Sequence, residues 1–504
     1  DEVLSVNRAQ QSVPTLFQIV SVTQPNMALY YFLLHFWLGL VGFLGIHPTE
    51  AVVRFPSALF ATLDTLLLYF LARRFFSTLI AGFAALLYLL NTLQLTYAQE
   101  TRAYTLQLFF IGLSWFSLCV LFSSDLSAKR ARKWWICFCI ASILAMYTQL
   151  FSEIVLATQA VVVGMLCLIP TIWRRRVRRQ LRPLILSWIC IGLFIVPILY
   201  ASRVGSKTGW LPIPQLGDVY HLFLTINSEN KVLFVLTILL LLVGLSCVLL
   251  AKRARGTELL KRLSFLSTED AVAKSQRKGF EQYTPLALLL IGWLFCPVII
   301  TYVVSQFSTH LFSPRYLVVV VPAFVLLIAL CVSLLRWRRV QVVLSLLLVL
   351  LCLISVPGYY ASAQVEDWRT GSLWLQQHYQ VGDGLICYNT AEGCAVSIEY
   401  YLQAYPYGSA RFDADSPGYF PWVDYDTSNH LGDYKVALNL NAIQAYGNQH
   451  PRLFFALGRA APGDPEVRPV MDWLNAHYKL IDQVNSSTLT VYLFDTTAYQ
   501  PHLV

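Results

Sequence analysis

Residues 316–335 read YLVVVVPAFVLLIALCVSLL, a run of twenty residues without one charged side chain. A helix of about 20 mostly apolar residues is long enough to cross the hydrocarbon core of a bilayer. Arg315 precedes the run, and three arginines follow it between Arg336 and Arg339, so charges bound it on both sides. The stretch therefore predicts a helix that spans a membrane.

Similar apolar runs continue through the first 357 residues. Of the 504 residues, 57% are hydrophobic and 13% are charged, whereas soluble domains carry roughly 25% charged residues. This composition excludes a soluble enzyme and a disulfide-rich secreted scaffold, and it predicts a mostly α-helical polytopic membrane protein. The predicted spans lie near residues 52–72, 78–95, 103–123, 134–150, 152–172, 184–201, 231–251, 284–304, 316–335 and 340–357.

The basic residues mark every second loop between these runs. Residues 1–357 hold 30 Lys+Arg, and 23 of them fall in five clusters at 73–74, 129–133, 174–182, 252–278 and 336–339. Because positively charged loops stay in the cytoplasm, the other loops and the region after residue 357 are predicted to face outward. The net charge of +9 therefore indicates membrane anchoring and no nucleic-acid partner.

The last part of the chain has a different composition. Residues 358–504 hold 7 Lys+Arg and 15 Asp+Glu, so this part is acidic where residues 1–357 are basic. An amphipathic helix over 367–380 and strands over 385–388 and 489–495 predict a small extracytoplasmic α/β domain. The chain is thus predicted to divide into a transmembrane domain, 1–357, and this second domain, 358–504.

Two cysteines of the second domain, Cys387 and Cys394, leave two readings open. Outside the cytoplasm they can form a disulfide, and otherwise they remain free thiols. The chain shows no sequence repeat and no pair of matching interrupted helices.

The first fifty residues leave two readings open. Residues 26–46 are apolar enough to cross the membrane, and charge parity permits either a span or an interfacial helix. They are also rich in Tyr, Trp and Phe, which favour the interface, so an interfacial helix after an outward loop is the preferred prediction. An outward residue 1 predicts a further membrane helix or signal ahead of it.

Seven Lys and Arg residues of the first domain lie outside the cytoplasmic clusters. Arg54, Arg102 and Arg315 fall at outer ends of predicted helices. Outward carboxylates are predicted at the same level, and they are Asp1, Glu2, Glu100 and Glu153. Charges near lipid are costly and usually face a protein interior or a water-filled cavity.

Arginines and carboxylates grouped at one level can bind a substrate and take part in its reaction. The planar fork of an arginine binds phosphate in a bidentate manner, and a carboxylate can accept the proton of an attacking hydroxyl. Together they suit group transfer from a lipid phosphate at the outer leaflet. The simpler alternative is that these residues form structural ion pairs or extend to the membrane surface. For Asp64, in the middle of the first span, a functional acid and a buried hydrogen-bonded side chain are both open.

The most specific motif is residues 97–104, YAQETRAY. It closely resembles the Y-x-Q-E-x-R-x-Y block of the membrane glycosyltransferases of the GT-C fold that use polyprenyl-phosphate sugars. Protein mannosyltransferases and lipid A aminoarabinose transferases are members of that superfamily. The resemblance implies a GT-C helical bundle in a bacterial plasma membrane, with the second domain extracytoplasmic.

Further motifs of the resemblance occur in the expected order along the chain. The pair Asp1-Glu2 resembles the Asp-Glu of the family's first outward loop. Gln24-Pro25 precedes an aromatic interfacial segment, Arg54–Ser57 resembles the R-x-P-S entry to a helix, and Ser313–Tyr316 resembles the late P-R-Y.

The resemblance implies roles for these residues. Asp1 would be the catalytic base, with Glu2 and Glu100 as further catalytic residues. The residues implied to bind substrate are Gln24, Arg54, Arg102, Tyr104, Gln149, Arg315 and Tyr316.

No metal site is predicted. Gln24 and Gln149 stand where relatives carry side chains that can ligate a metal, which lowers the case for a divalent cation. His310 and Glu153 remain as weak candidate ligands, and no other cofactor is implied.

The sequence therefore predicts an inverting transferase. Its partners would be a polyprenyl-phosphate sugar donor, membrane lipids, and a glycan, lipid or protein acceptor. Two alternatives are a transporter or lipid-sugar flippase, which would need broken helices near the midplane, and a non-catalytic scaffold that presents the second domain.

Overall fold

The computed structural model is mainly helical. It describes residues 2–203, 211–253, 270–335, 337–362, 366–389, 397–398, 400–401, 440–465 and 467–497. The helices up to residue 362 are α1 (Glu2–Gln10), α2 (Val13–Gln18), α3 (Ala28–Phe43), α4 (Glu50–Phe75), α5 (Thr78–Leu89), α6 (Thr92–Ala98), α7 (Tyr104–Ser123), α8 (Ala128–Thr148), α9 (Ser152–Leu168), α10 (Arg174–Arg179), α11 (Leu181–Ala201), α12 (Leu216–Ile226), α13 (Lys231–Arg253), α14 (Asp270–Phe307), α15 (Pro314–Leu317), α16 (Val321–Ser333) and α17 (Arg338–Ser362).

The chain forms two compact units. The membrane unit comprises residues 24–30 and 54–362. The sheet unit comprises residues 1–23, 31–53 and 363–504. The domain boundary predicted between residues 357 and 358 falls inside α17, which continues to Ser362.

Each of the ten predicted apolar runs lies on helical segments. Among the described residues, six helices are long and apolar enough to cross a membrane, and two bent helix pairs would raise the number to eight. The remaining two runs lie on α8 and α9. The predicted polytopic α-helical membrane protein is confirmed. Helix α3 has 16 residues, fewer than the about 20 that a span needs, which agrees with an interfacial position.

The two bent pairs correct an expectation. Helices α5 and α6 meet at 63°, and α12 and α13 meet at 98°. The breaks touch, because Asn91 Nδ2 donates to the Ile226 carbonyl at 2.6 Å and the Thr92 N–H donates to Ser228 Oγ at 3.2 Å. The prediction that no matching interrupted helices exist is wrong. Neither break contains a Pro or a Gly. The first break has Asn91 as the N-cap of α6, and the second has Ser228 in the left-handed conformation (φ 58°).

Helix α16 lies at the centre of the membrane unit. Every residue from Leu317 to Val332 is buried, and α16 packs against α5, α13 and α14. Nearby, Trp115 of α7 stacks on Trp293 of α14 with 4.9 Å between ring centroids. A helix that is apolar on all sides is expected in such a central position.

Asp64 is packed into this interior rather than exposed to lipid. The Tyr88 hydroxyl donates to Asp64 Oδ2 at 2.5 Å, and both side chains are buried. The other oxygen, Oδ1, would lie 2.9 Å from a Cβ placed on Gly112 of α7. The environment of Asp64 is therefore that of a buried, hydrogen-bonded side chain, one of the two alternatives left open by the sequence.

We expect Gly112→Ala to destabilise the protein by about 1–3 kcal/mol, because the added methyl overpacks the site of Asp64. Gly82→Ala is the matched control, since a Cβ on Gly82 meets nothing within 4 Å. Thermal melting in detergent checks this. A Gly112→Ala protein that melts as high as Gly82→Ala would contradict the packing.

The sheet unit contains a four-stranded sheet. Its elements are α18 (Trp368–His378), β1 (Gly384–Asn389), α19 (Leu440–Gly447), β2 (Arg452–Gly458), α20 (Arg468–His477), β3 (Lys479–Asn485) and β4 (Leu489–Asp495). The strand order is β1-β2-β4-β3; β1 and β2 run parallel, and the other two pairs are antiparallel.

Both faces of this sheet are covered. Leu375 of α18 packs with Phe454 on one face, whereas Leu474 of α20 packs with Phe455 on the other, as the alternation of a strand requires. The small α/β fold predicted for this region is confirmed.

The sheet unit also contains a short repeat that the sequence analysis did not detect. The six residues 374–379 read WLQQHY, and residues 473–478 read WLNAHY. In each copy the tryptophan stacks on the histidine one turn later, at 4.3 and 4.4 Å between centroids, and the leucine is fully buried. The expectation of no repeat is wrong for this region; the copies lie 99 positions apart and share four of six residues, too few to stand out from composition.

Candidate active site

The predicted site residues fall in both units. Glu2 begins α1 in the sheet unit, and Asp1 lies outside the described residues. The remaining eight belong to the membrane unit: Gln24, Arg54, Glu100, Arg102, Tyr104, Gln149, Arg315 and Tyr316.

Tyr97 interacts with three of the four charged candidate site residues of the membrane unit. Electrostatic interactions link its hydroxyl with Glu100, Arg102 and Arg315. Its ring lies 4.5 Å from that of Tyr104, and both rings are buried. The 97–104 motif thus brings two tyrosines, one carboxylate and two arginines to one place.

Tyr316 joins the same group from α15. It interacts electrostatically with Tyr104, Arg102 and Arg315. Its ring stacks on Phe151, with 5.6 Å between centroids and 20° between planes. The late P-R-Y motif and the YAQETRAY motif, whose tyrosines Tyr316 and Tyr104 are 212 positions apart, therefore interact with each other.

The turn that carries Glu100 and Arg102 is held against α4. The Arg102 N–H donates to the Glu100 carbonyl at 2.8 Å, which closes the turn. Ser57 Oγ donates to the Arg102 carbonyl at 3.3 Å and hydrogen-bonds the Tyr30 hydroxyl at 2.9 Å. The serine of the R-x-P-S motif is thus a backbone anchor for the neighbouring motif.

Two tyrosines near the end of α17 also reach this turn, and sequence reasoning missed them. Thr96 Oγ1 donates to the Tyr359 hydroxyl at 3.2 Å, and Gln99 Nε2 donates to the Tyr360 hydroxyl at 2.6 Å. Tyr359 interacts electrostatically with Glu100 and with Arg54, which brings Arg54 into the group. Aromatic residues are common at membrane interfaces, so the pair gave no distinct signal.

We expect Tyr360→Phe and Gln99→Leu each to lower kcat for sugar transfer about 3- to 10-fold, because one hydrogen bond contributes about 0.5–1.5 kcal/mol. The double variant should be no slower than the slower single variant, since both remove the same bond. A double-mutant cycle on purified protein measures this. Tyr220→Phe is the control, because Tyr220 is exposed on α12. Fully additive effects of the two single substitutions would contradict a role for the hydrogen bond between Gln99 and Tyr360.

Gln149 lies at the end of α8 in a buried position. It is 3% exposed, and its Oε1 has no hydrogen-bond partner among the described residues. Next to it, the Leu150 N–H donates to Asn26 Oδ1 at 3.0 Å, so the segment that begins with Gln24 docks beside the turn between α8 and α9. Buried acceptors are normally satisfied, and a ligand hydroxyl is one group that would satisfy Gln149.

The candidate metal ligands do not form a cluster. His310 Nδ1 contacts the Leu211 carbonyl, and Glu153 is exposed in the first turn of α9. In the part of the chain that the structure describes, no group of three or more His, Cys, Asp or Glu could hold a metal ion.

In the sheet unit, the helix that begins with Glu2 is held against α3. Arg8 Nη1 donates to the Tyr31 hydroxyl at 2.8 Å, and the His35 ring bonds the Ala9 carbonyl at 2.7 Å. Arg8 is 5% exposed, so this outward arginine is a packing residue.

Comparisons with known proteins agree with the motifs. Residues 24–200 match the family of dolichyl-phosphate-mannose-protein mannosyltransferases. No curated protein sequence matches the chain. The chain is also similar to crystal structures of ArnT from Cupriavidus metallidurans, at 12% identity in both cases. The apo state has a TM-score of 0.44, with 99% of this chain and 94% of that chain covered. The state bound to undecaprenyl phosphate has a TM-score of 0.39, with 94% and 88% covered.

The matched family segment contains the YAQETRAY motif, Arg54 and Gln149. The match agrees with the resemblance predicted from the sequence: residues 24–200, about a third of the chain, are similar to the dolichyl-phosphate-mannose-protein mannosyltransferase family.

Proposed function

We propose that this protein transfers a sugar from a polyprenyl-phosphate donor to a hydroxyl of an acceptor at the outer face of a bacterial plasma membrane. The observation that carries the proposal is that Arg102, Arg315 and Glu100 all interact electrostatically with the buried Tyr97. Arginines from distant motifs meet beside a carboxylate at ends of membrane helices, where the phosphate of a membrane-embedded lipid would lie.

Arg102 and Arg315 bind the donor phosphate in this proposal. Negative charge grows on the phosphate as the bond from sugar to phosphate breaks, and positioned cationic donors stabilise such charge most strongly where water is excluded. Arg54, near Tyr359, adds a third positive charge. Glu100 orients the acceptor or holds Arg102.

Asp1 is the proposed base. It removes the proton of the acceptor hydroxyl while that oxygen attacks the anomeric carbon from the face opposite the phosphate. Attack from the opposite face inverts the anomeric configuration, by the geometry of inverting glycosidases. Glu2 acts beside it, and Gln24, Gln149, Tyr104 and Tyr316 contact the substrates.

The orientation rests on charge and on one disulfide. The loops that begin at Arg73 and at Arg336 are basic and mark the cytoplasmic side, so the opposite helix ends, with Arg54 and Arg315, face outward. Cys387 is disulfide-bonded, which is typical of oxidising compartments; Cys394 lies outside the described residues. Both features support an extracytoplasmic sheet region.

Incubation of the purified protein with a panel of polyprenyl-phosphate hexoses and pentoses tests the proposal. Glycan, lipid and protein acceptors are supplied in turn, and products are identified by mass spectrometry. We expect one donor to lose its sugar and one acceptor class to gain the same mass, with or without a divalent cation. Donors that all stay intact with every acceptor would contradict the proposal.

The alternative of a transporter or lipid-sugar flippase has one specific observation in its favour. The two broken helices touch at Asn91 and Ser228, and paired discontinuous helices are a feature of transporters. Proteoliposomes with a fluorescent polyprenyl-phosphate sugar separate the two functions: a flippase moves the donor intact, whereas the transferase cleaves it.

A further inference from the structure

The sheet unit contains an open polar cavity of about 550 Å³, within the roughly 300–1,000 Å³ of small-molecule sites. It lies where α19 ends, β2 begins and β4 ends. Besides Pro451, its lining consists of side chains that carry amide, imidazole or hydroxyl groups, and these are Gln444, Asn448, Gln449, His450, Thr496 and Thr497.

We propose that this cavity, the amide pocket, binds an uncharged saccharide. A sugar hydroxyl both donates and accepts hydrogen bonds, and a side-chain amide offers both functions as well. Among the described residues the pocket lining has no Asp, Glu, Lys or Arg, although the region after residue 357 holds 15 acidic residues; the nearby Asp495 carboxylate accepts hydrogen bonds from the N–H and hydroxyl of Thr497. Its chemistry therefore selects a neutral polyhydroxylated ligand over an ionic one.

His450 provides a fixed wall of the amide pocket. It is 9% exposed, and its ring lies 4.4 Å from that of Tyr446. Nδ1 hydrogen-bonds the Gly382 carbonyl at 2.9 Å, which fixes the orientation of the ring. The Thr496 hydroxyl donates to the His450 carbonyl, which joins the ends of α19 and β4.

Gly384 at the start of β1 makes room for this wall. A Cβ there would lie 2.7 Å from His450 Cδ2 and 2.8 Å from Tyr446 Cε1. The preceding turn is also rigid, because Arg452 donates to both oxygens of the buried Asp383, at 2.9 and 2.5 Å. A side chain at position 384 would move the imidazole.

The amides next to this wall remain available to a ligand. Asn448 Oδ1 accepts from the Tyr478 hydroxyl at 3.3 Å, which turns the Asn448 NH₂ group away from that bond. Gln449 is exposed and Gln444 is half-buried. This inference rests on the proposed function and names the acceptor class: the amide pocket holds a neutral glycan.

Binding of neutral and anionic oligosaccharides to the full chain in detergent tests the inference. The probes are maltotriose, cellotriose, mannotriose and, as the charged comparison, trigalacturonate, measured by saturation-transfer-difference NMR and calorimetry. We expect at least one neutral probe to bind with a Kd below about 10 mM and trigalacturonate to bind at least tenfold more weakly. Gln444→Leu/Gln449→Leu should weaken the neutral probe at least tenfold, and so should Gly384→Ala.

Asn475→Leu is the matched control, since Asn475 is an exposed amide on α20 away from the pocket lining; it should leave binding unchanged. No neutral binding below about 10 mM, or equal binding by wild type and the double glutamine variant, would overturn the inference. Donor cleavage is followed in parallel. Cleavage without saccharide binding removes this inference alone, whereas binding without cleavage of any donor removes the proposed function alone.

Discussion

Arg315→Gln is expected to lower kcat/KM for sugar transfer by about 100- to 1,000-fold. Loss of one preorganised donor to a developing anion has an effect of that size, and the shorter glutamine keeps a polar side chain while it removes the charge. Arg315 and Arg102 both interact electrostatically with Tyr97 and with Tyr316. The loss should therefore appear mainly in kcat, and Arg102→Gln should show a similar loss.

Arg203→Gln is the matched control for both substitutions. Arg203 is also a predicted outward arginine, but it is exposed and lies over the Tyr200 ring at 5.8 Å. It should retain wild-type kcat/KM. Equal effects at positions 203 and 315 would show that net charge, rather than phosphate binding, is responsible.

Asp1→Asn is expected to lower transfer by about 100- to 10,000-fold, the range of general-base catalysis, without loss of membrane insertion. The base must be deprotonated to accept a proton. Wild-type activity should therefore fall as acid protonates the carboxylate, and the residual activity of Asp1→Asn should lose this acid limb. A pH–rate profile of both proteins measures the effect.

Glu2→Gln is the control for this prediction, because it neutralises the adjacent carboxylate. We expect a smaller loss than for Asp1→Asn and an unchanged acid limb. An Asp1→Asn protein with unimpaired transfer would eliminate Asp1 as the base.

Much of the membrane unit could be predicted from the sequence, because a lipid bilayer permits few kinds of backbone structure. Apolar runs must be helical in a bilayer, where backbone groups find partners only within the chain. Alternating basic loops then put Arg54, Arg102 and Arg315 at the same side. In the structure Arg102 and Arg315 both interact electrostatically with Tyr97 and Tyr316, and Arg54 interacts with Tyr359; their roles at one site stay a prediction.

Other features depend on contacts that periodicity does not encode. The break at Asn91 is stabilised by Ser228, which lies 137 positions away. Tyr359 and Tyr360 resemble ordinary interfacial aromatics until their partners, Thr96 and Gln99, are known. The strand order β1-β2-β4-β3 likewise requires the parallel pairing of Gly384 with Leu453, which no local pattern reveals.

The most direct test of the account is the stoichiometry of donor cleavage. Purified protein is given a polyprenyl-phosphate sugar and its acceptor, and released polyprenyl phosphate and transferred sugar are quantified together. We predict equal amounts of the two products for the wild type, and almost none for Arg102→Gln/Arg315→Gln in the same time. Donor that crosses proteoliposome membranes intact while neither product forms would contradict the account and favour a flippase.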